Sequence, residues 1–148
     1  MVSPQGVHVA DTALAAQVSE LLRELVLLLR RSSADMAVSA PQLAVMASLR
    51  DGPLRMSELA HQHGVRLPTM TSQVNRLERD GLVTRQRRDR DGRVVSVELT
   101  GTGRAELDRG VDRRVAFLAD RLSHLSEADR SAITAAVPAL RRLARSSL

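Results

Sequence analysis

Cysteine, lysine, tryptophan and tyrosine are all missing from this chain, and Phe117 is its one aromatic residue. Without cysteine there are no disulfides, no thiolate metal sites and no thiol redox switch, which fits an expected cytoplasmic location. Proteins that grip single-stranded nucleic acid stack its bases on aromatic platforms, and one Phe cannot supply them. Long apolar runs are missing too. None is longer than Leu25 to Leu29, which falls far short of the roughly 20 residues that span a bilayer. Met1 to Ala10 shows no basic leader before an apolar core, so neither a signal peptide nor a membrane partner is expected. No nucleophile–base pair is visible, and Gly101-Thr102-Gly103 lacks the lysine and spacing of a phosphate loop. His61 and His63 would point about 200° apart on a helix, so they do not converge on one ion. His8 and His124 are isolated. The expectation is no enzyme, no cofactor and no metal.

Arginine is what the chain has in quantity. It supplies all 22 basic residues against 17 acids, a formal net charge of +5. Guanidinium forks onto phosphate and guanine edges, so a polyanionic partner is plausible. The charge is uneven. Residues 1–50 are balanced, whereas residues 101–148 hold nine Arg against six acids. The densest run, Arg85 to Arg93, has five Arg against Asp89 and Asp91. A chain of 148 residues is read as one domain with a core of Leu, Val, Ala and Met.

The apolar spacing then divides the chain into elements. Asp11 is placed to cap a long helix over about 12–34, with Leu14, Val18, Leu21, Leu25 and Leu28 in a stripe widened by Leu22, Val26 and Leu29. That is more apolar surface than one helix needs against a small core, so a helix of a second subunit is expected to cover it. Ser39 and Gln42 have capping-box spacing and Pro41 suits a first turn, so a second helix is expected to Arg50 with Leu43, Met46 and Leu49 inward. Asp51-Gly52-Pro53 ends it. A short helix over 56–63 places Met56, Leu59 and Ala60 on one face and ends at Gly64. The next helix runs from Pro68 to Asp80. In it Met70, Val74 and Leu77 fall within about 60° of one another. Its other side carries Pro68, Thr69, Ser72, Asn75, Arg76 and Arg79, with Thr71 and Gln73 on the flanks. Helix, short turn and a second helix with a polar face make a helix-turn-helix.

After Gly81, strands are expected over 83–88 and 94–99, joined through Asp91-Gly92. In the second, Val95, Val97 and Leu99 alternate with Ser96 and Glu98. Helices over about 102–123 and 127–146 follow. The first carries Leu107, Val111, Val115, Leu118 and Leu122. The second is capped by Ser126 and Asp129, and Pro138 should kink or break it. The fold class is thus mainly α with a small β-hairpin wing: a winged helix-turn-helix (39–100) flanked by helical segments at 11–36 and 102–148.

Asp91-Gly92-Arg93-Val94-Val95-Ser96-Val97-Glu98-Leu99-Thr100-Gly101-Thr102-Gly103 resembles the wing pattern D-x-R-x5-L-T-x-x-G of the MarR family of bacterial transcriptional regulators, at every specified position. Leu77-Glu78-Arg79-Asp80-Gly81-Leu82-Val83 is similar to that family's recognition-helix exit. The order of elements is similar over residues 11–146.

The resemblance implies a homodimer whose first and last two helices interlock. Leu14, Val18, Leu21, Leu25, Leu118, Leu122, Leu140 and Leu143 would be its contacts. It also implies a palindromic or pseudo-palindromic double-stranded operator. Each recognition helix would enter a major groove and each wing an adjacent minor groove. Repression of nearby genes would be relieved by a small-molecule effector bound between the dimerisation and DNA-binding parts. The expected DNA-facing set is Arg66, Pro68, Thr69, Thr71, Ser72, Gln73, Asn75, Arg76, Arg88, Arg90 and Arg93. Arg reads guanine and Gln or Asn reads adenine bidentately, so Arg76, Gln73 and Asn75 are base-reading candidates, while Thr69 and Ser72 favour phosphate. A narrow minor groove attracts inserted Arg, which suits Arg93 and Arg90. Asp91 would support the wing rather than meet DNA. Ser72 departs from the family, many of whose members carry Arg there. That departure and the modest net charge keep open a different reading, a winged-helix protein–protein interaction module without specific DNA binding.

Overall fold

The computed structural model describes residues 9–32, 38–87 and 95–145. Nine elements follow in order: α1 (Val9–Ser32), α2 (Ala40–Ser48), β1 (Leu54–Arg55), α3 (Met56–Gln62), α4 (Leu67–Arg79), β2 (Val83–Arg87), β3 (Val95–Leu99), α5 (Gly101–Ser123) and α6 (Glu127–Arg145). The chain forms two compact units, Met1–Val111 and Asp112–Leu148. The architecture is a winged helix-turn-helix with long helices before and after it.

The first unit holds the core. Leu43, Val45, Met46 and Leu49 from the α2 region meet Leu59 and Ala60 of α3 and Met70, Val74 and Leu77 of α4. Leu82, Val83, Val97 and Leu99 close it from the sheet, and Leu107 from α5. The i, i+4, i+7 row on α4 is fully buried, as its period required. The core is aliphatic throughout.

Local chemistry sets the helix ends. Ser39 and Gln42 form the expected capping box: the Gln42 amide N–H donates to Ser39 Oγ, and the Ser39 N–H donates to Gln42 Oε1 at 3.1 Å. Asp129 N–H donates to Ser126 Oγ at 3.1 Å at the start of α6. One expectation fails at a helix end and part of another within a helix. Helix α1 begins at Val9, so Asp11 lies inside its first turn rather than at the cap, where its charge still favours the positive end of the helix. Of the kink or break expected at Pro138, the break does not occur: α6 continues from Glu127 to Arg145. No side chain of α6 is buried, and a helix this exposed can leave the carbonyl that Pro orphans to water.

The sheet has the order β1-β3-β2, all antiparallel. The two-residue strand β1 pairs Leu54 with Val97 and Arg55 with Ser96. It was not expected, because two residues carry no period. Its presence makes β3 the central strand. Ser96 is therefore buried, flanked in register by Arg55 and Gln86, where simple alternation expected an exposed side chain. Its hydroxyl has no hydrogen-bond partner among the described residues.

The L-T-x-x-G segment now has a physical explanation. Leu99 is in the core. Thr100 donates its hydroxyl to the Gly81 carbonyl at 2.7 Å and accepts from the Gly103 N–H at 2.9 Å, capping α5. The Thr100 N–H donates to the Leu82 carbonyl at 3.1 Å. That same carbonyl oxygen would lie 1.9 Å from a Cβ on residue 103, so this position must be glycine. Gly81 is held at φ +72°, the left-handed conformation that ends α4. One short segment thus fastens the recognition-helix exit, the wing and α5 together.

Within the second unit, α6 carries an exposed apolar row, Ile133, Val137 and Leu140, with Leu143 beyond it. In the α5 part, the Arg121 guanidinium lies 4.7 Å from the Phe117 ring centroid. Leu118 is half-buried and Leu122 exposed. None of the described side chains on α1 is buried either: Val18 is half-buried, and Leu14, Leu21 and Leu25 are exposed.

Candidate nucleic-acid interface

Helices α3 and α4 form the helix-turn-helix. Arg66 is the residue at the N-terminal cap of α4, with extended backbone (φ −73°, ψ 150°), and its carbonyl accepts the N–H groups of Thr69 and Met70. Pro68 sits in the first turn, where its missing N–H costs nothing. That turn holds no acidic residue, so nothing there opposes a phosphate drawn to the positive helix end.

With Met70, Val74 and Leu77 buried, the period of the helix turns the expected contact residues outward. Arg66, Pro68, Thr69, Ser72, Asn75 and Arg76 are all exposed. Leu67, 50% exposed, adds an apolar atom set at the same end that composition reasoning passed over. Thr71 and Gln73 are half-buried, and the Gln73 Oε1 atom is buried without a partner among the described residues. The wing residues Arg88, Arg90, Asp91 and Arg93 lie outside the described residues.

Arg85 is the residue whose role sequence reasoning missed. The sequence places it in the basic run Arg85 to Arg93, where a phosphate contact from at least one of Arg85, Arg87 and Arg88 is the expectation. In the structure its Nη1 forms an ion pair and hydrogen bond with Glu78 Oε2, and its Nη2 donates to Asn75 Oδ1 at 2.6 Å. The cause is the strand period. Val83 and Arg85 stand on one face of β2, opposite Leu99 and Val97, and that face looks onto the core and α4. A residue two beyond a buried valine was the available signal. On the other face, Gln86 donates to Glu98 Oε1 at 2.6 Å across the strands.

His63 closes α3 and lies 3.0 Å through Nε2 from the Ser48 hydroxyl of α2. Burial lowers its pKa below the ordinary 6.5. His61 is exposed, and His8 lies outside the described residues. No cluster of His, Asp and Glu able to hold a metal ion occurs among the described residues.

Comparison with known proteins agrees with this geometry. The model of the MarR family matches residues 38–95. The HTH-type transcriptional repressor MdtR of Bacillus subtilis is 35% identical over 91 residues, which are 61% of this chain and 59% of MdtR. The uncharacterized HTH-type transcriptional regulator Mb0904 of Mycobacterium bovis is 33% identical over 129 residues, 86% of this chain and 90% of its own length. Among solved structures, a MarR family protein from Bacillus stearothermophilus superposes with a TM-score of 0.72 at 26% identity, covering 88% of this chain and 95% of that one. A buried helix-turn-helix, a polar recognition face and near-full-length similarity to a regulator lead to one assignment: the chain belongs to the MarR family and is a DNA-binding transcriptional regulator.

Proposed function

We propose that the chain is a homodimeric, sequence-specific repressor that acts in the cytoplasm on a palindromic or pseudo-palindromic double-stranded operator. The observation that carries the sequence-specific part is the division of α4 into a fully buried apolar row and an exposed face of Arg66, Thr69, Ser72, Asn75 and Arg76. A polar helix face on a rigid apolar seat is what enters a major groove. Arg93 and Arg90 would reach the adjacent minor groove, with Arg88 on phosphate and Asp91 supporting the turn. The exposed stripes of α1 and α6 support the homodimer, because apolar rows this long are usually covered by another chain. Residues 11–36 and 102–148 would then form the dimerisation part and 39–100 the DNA-binding part of a single MarR-like domain. MdtR's being named a repressor supports the sign of regulation.

A small-molecule effector would relieve binding. A cavity of about 290 Å³ lined by Arg30, Ser39, Ala40 and Pro41 supports this. Its guanidinium and hydroxyl suit a small anionic compound. Such an effector must favour the DNA-incompetent state, or it shifts nothing.

Selection of double-stranded sequences from a random pool at near-physiological salt tests the reading. Recovery of an inverted repeat with half-sites about 10 bp apart is expected. Recovery of no motif from a folded protein overturns sequence-specific regulation.

A further inference from the structure

We infer that Arg85, on strand β2 and outside the recognition helix, sets what Asn75 can read: it holds the amide oxygen and leaves the amide nitrogen to meet an acceptor-only base edge, guanine above all. The inference rests on the DNA-reading role proposed for α4. It also replaces the expectation that Asn75 reads adenine.

The chemistry of the pair assigns the amide. A guanidinium has five donors and no acceptor, so the Asn75 atom facing Arg85 Nη2 at 2.6 Å has to be Oδ1. Oδ1 and Nδ2 diverge from one carbonyl carbon, so an oxygen turned to β2 turns the nitrogen away from it. Nδ2 makes no hydrogen bond among the described residues, and Asn75 is exposed. The Arg85 side chain is itself fixed. It is 26% exposed, and its other terminal nitrogen is held by Glu78, one helical turn along α4 from Asn75. Two charge-assisted bonds hold one guanidinium in place, and such bonds are about twice as strong as neutral ones.

A bidentate grip on adenine needs both ends of the amide on one base edge, the oxygen accepting from N6 and the nitrogen donating to N7. Arg85 takes one of the two lone pairs of Oδ1 and fixes the plane of the amide, so the oxygen no longer turns freely onto N6, and an outward NH2 group meets the adenine N6 donor unfavourably. Guanine offers two acceptors, O6 and N7, and thymine offers O4. Asn75 therefore works as a donor on the exposed face of α4.

The test uses the full chain in parallel selections with wild type, Asn75→Ala, Arg85→Met and Asn75→Asp, each checked for folding by circular dichroism. The base pair that Asn75 reads is the one whose preference disappears in Asn75→Ala. There the wild type should favour guanine or thymine over adenine by about fivefold or more, the usual cost of one wrong pair. Arg85→Met frees the amide to turn, so that preference should fall to within about twofold or pass to adenine, with other positions unchanged. Asn75→Asp keeps an oxygen for Arg85 but has no donor, and should also lose the guanine preference. It carries the test if Arg85→Met does not fold. Adenine at that pair in the wild type, an unchanged preference in Arg85→Met, or no pair dependent on Asn75 overturns the inference and leaves the regulator reading standing. A wild type that selects no motif overturns both.

Discussion

Residues 38–111 and the long helices α1 and α6 treat the same kinds of side chain in opposite ways. In the first region the leucines and methionines of α2, α3 and α4 are buried against one another and the sheet. In α1 and α6 leucines of equal size stand in the open, Leu14 at 59% and Leu143 at 60%. Composition does not explain the contrast, because the long helices are the richer of the two in apolar residues. What differs is whether the chain itself supplies the opposing surface. The winged region closes its own core by crossing three helices over a small sheet, whereas a helix such as α1 carries apolar residues along a stripe that nothing in its own unit buries. The winged region is therefore expected to be stable through intrachain contacts, and the long helices through the proposed second copy.

That contrast can be broken most sharply at Gly103. A methyl there meets the Leu82 carbonyl at 1.9 Å, so backbone must move. Gly103→Ala should cost about 3 kcal/mol or more and lower the melting temperature by roughly 10 °C. A melting temperature within a degree or two of wild type would show that the winged region is not held by this junction.

The long helices should respond differently. Leu25→Glu on α1 and Leu140→Glu on α6 remove apolar atoms from exposed stripes. Each should raise the dimer dissociation constant by at least about tenfold in sedimentation equilibrium, the equivalent of unburying one leucine. Amide exchange in α4 of the monomer should stay within about 0.5 kcal/mol of wild type. A wild type that sediments as a monomer would remove the contrast altogether.

Two smaller effects lie within the winged region. Ser39→Ala deletes the hydroxyl that accepts from the Gln42 N–H and should cost about 1 kcal/mol by chemical denaturation, with the dimer constant unchanged. His63 gives a pH signature. Its pKa is depressed by burial, so the folded state prefers the neutral ring and the unfolded chain takes up the proton more readily. Its contribution is whole above the ordinary value of 6.5 and is lost as pH falls through the lower folded value. Denaturation of wild type and His63→Gln across pH 5 to 7.5 should show that slope in the wild type alone.

Much of this is legible in the sequence. The Ser39–Gln42 box, the Ser126 cap and the Met70, Val74, Leu77 row are local features, written in spacings of three and four residues, and each stands as the spacing required. Arg66, Thr69, Ser72, Asn75 and Arg76 face outward for the same reason. What stayed hidden depends on partners far along the chain. Strand β1 exists only because residues 54–55 find residues 96–97. Ser96 is buried only because β1 covers that edge of β3. Asp11 looked like a cap because the residues before it carry no period that would extend the helix.

The order of the helices, the Ser39 and Ser126 caps and the inward row of α4 follow from backbone geometry and apolar period alone, since each step there spans about a turn. The glycine at 103, the burial of Ser96 and the Glu78–Arg85–Asn75 chain follow from long-range strand pairing. A strand's register converts a one-residue step into a change of face. Local spacing fixes which way a side chain points from its own element, but the atom it meets belongs to whichever distant segment packing brings there.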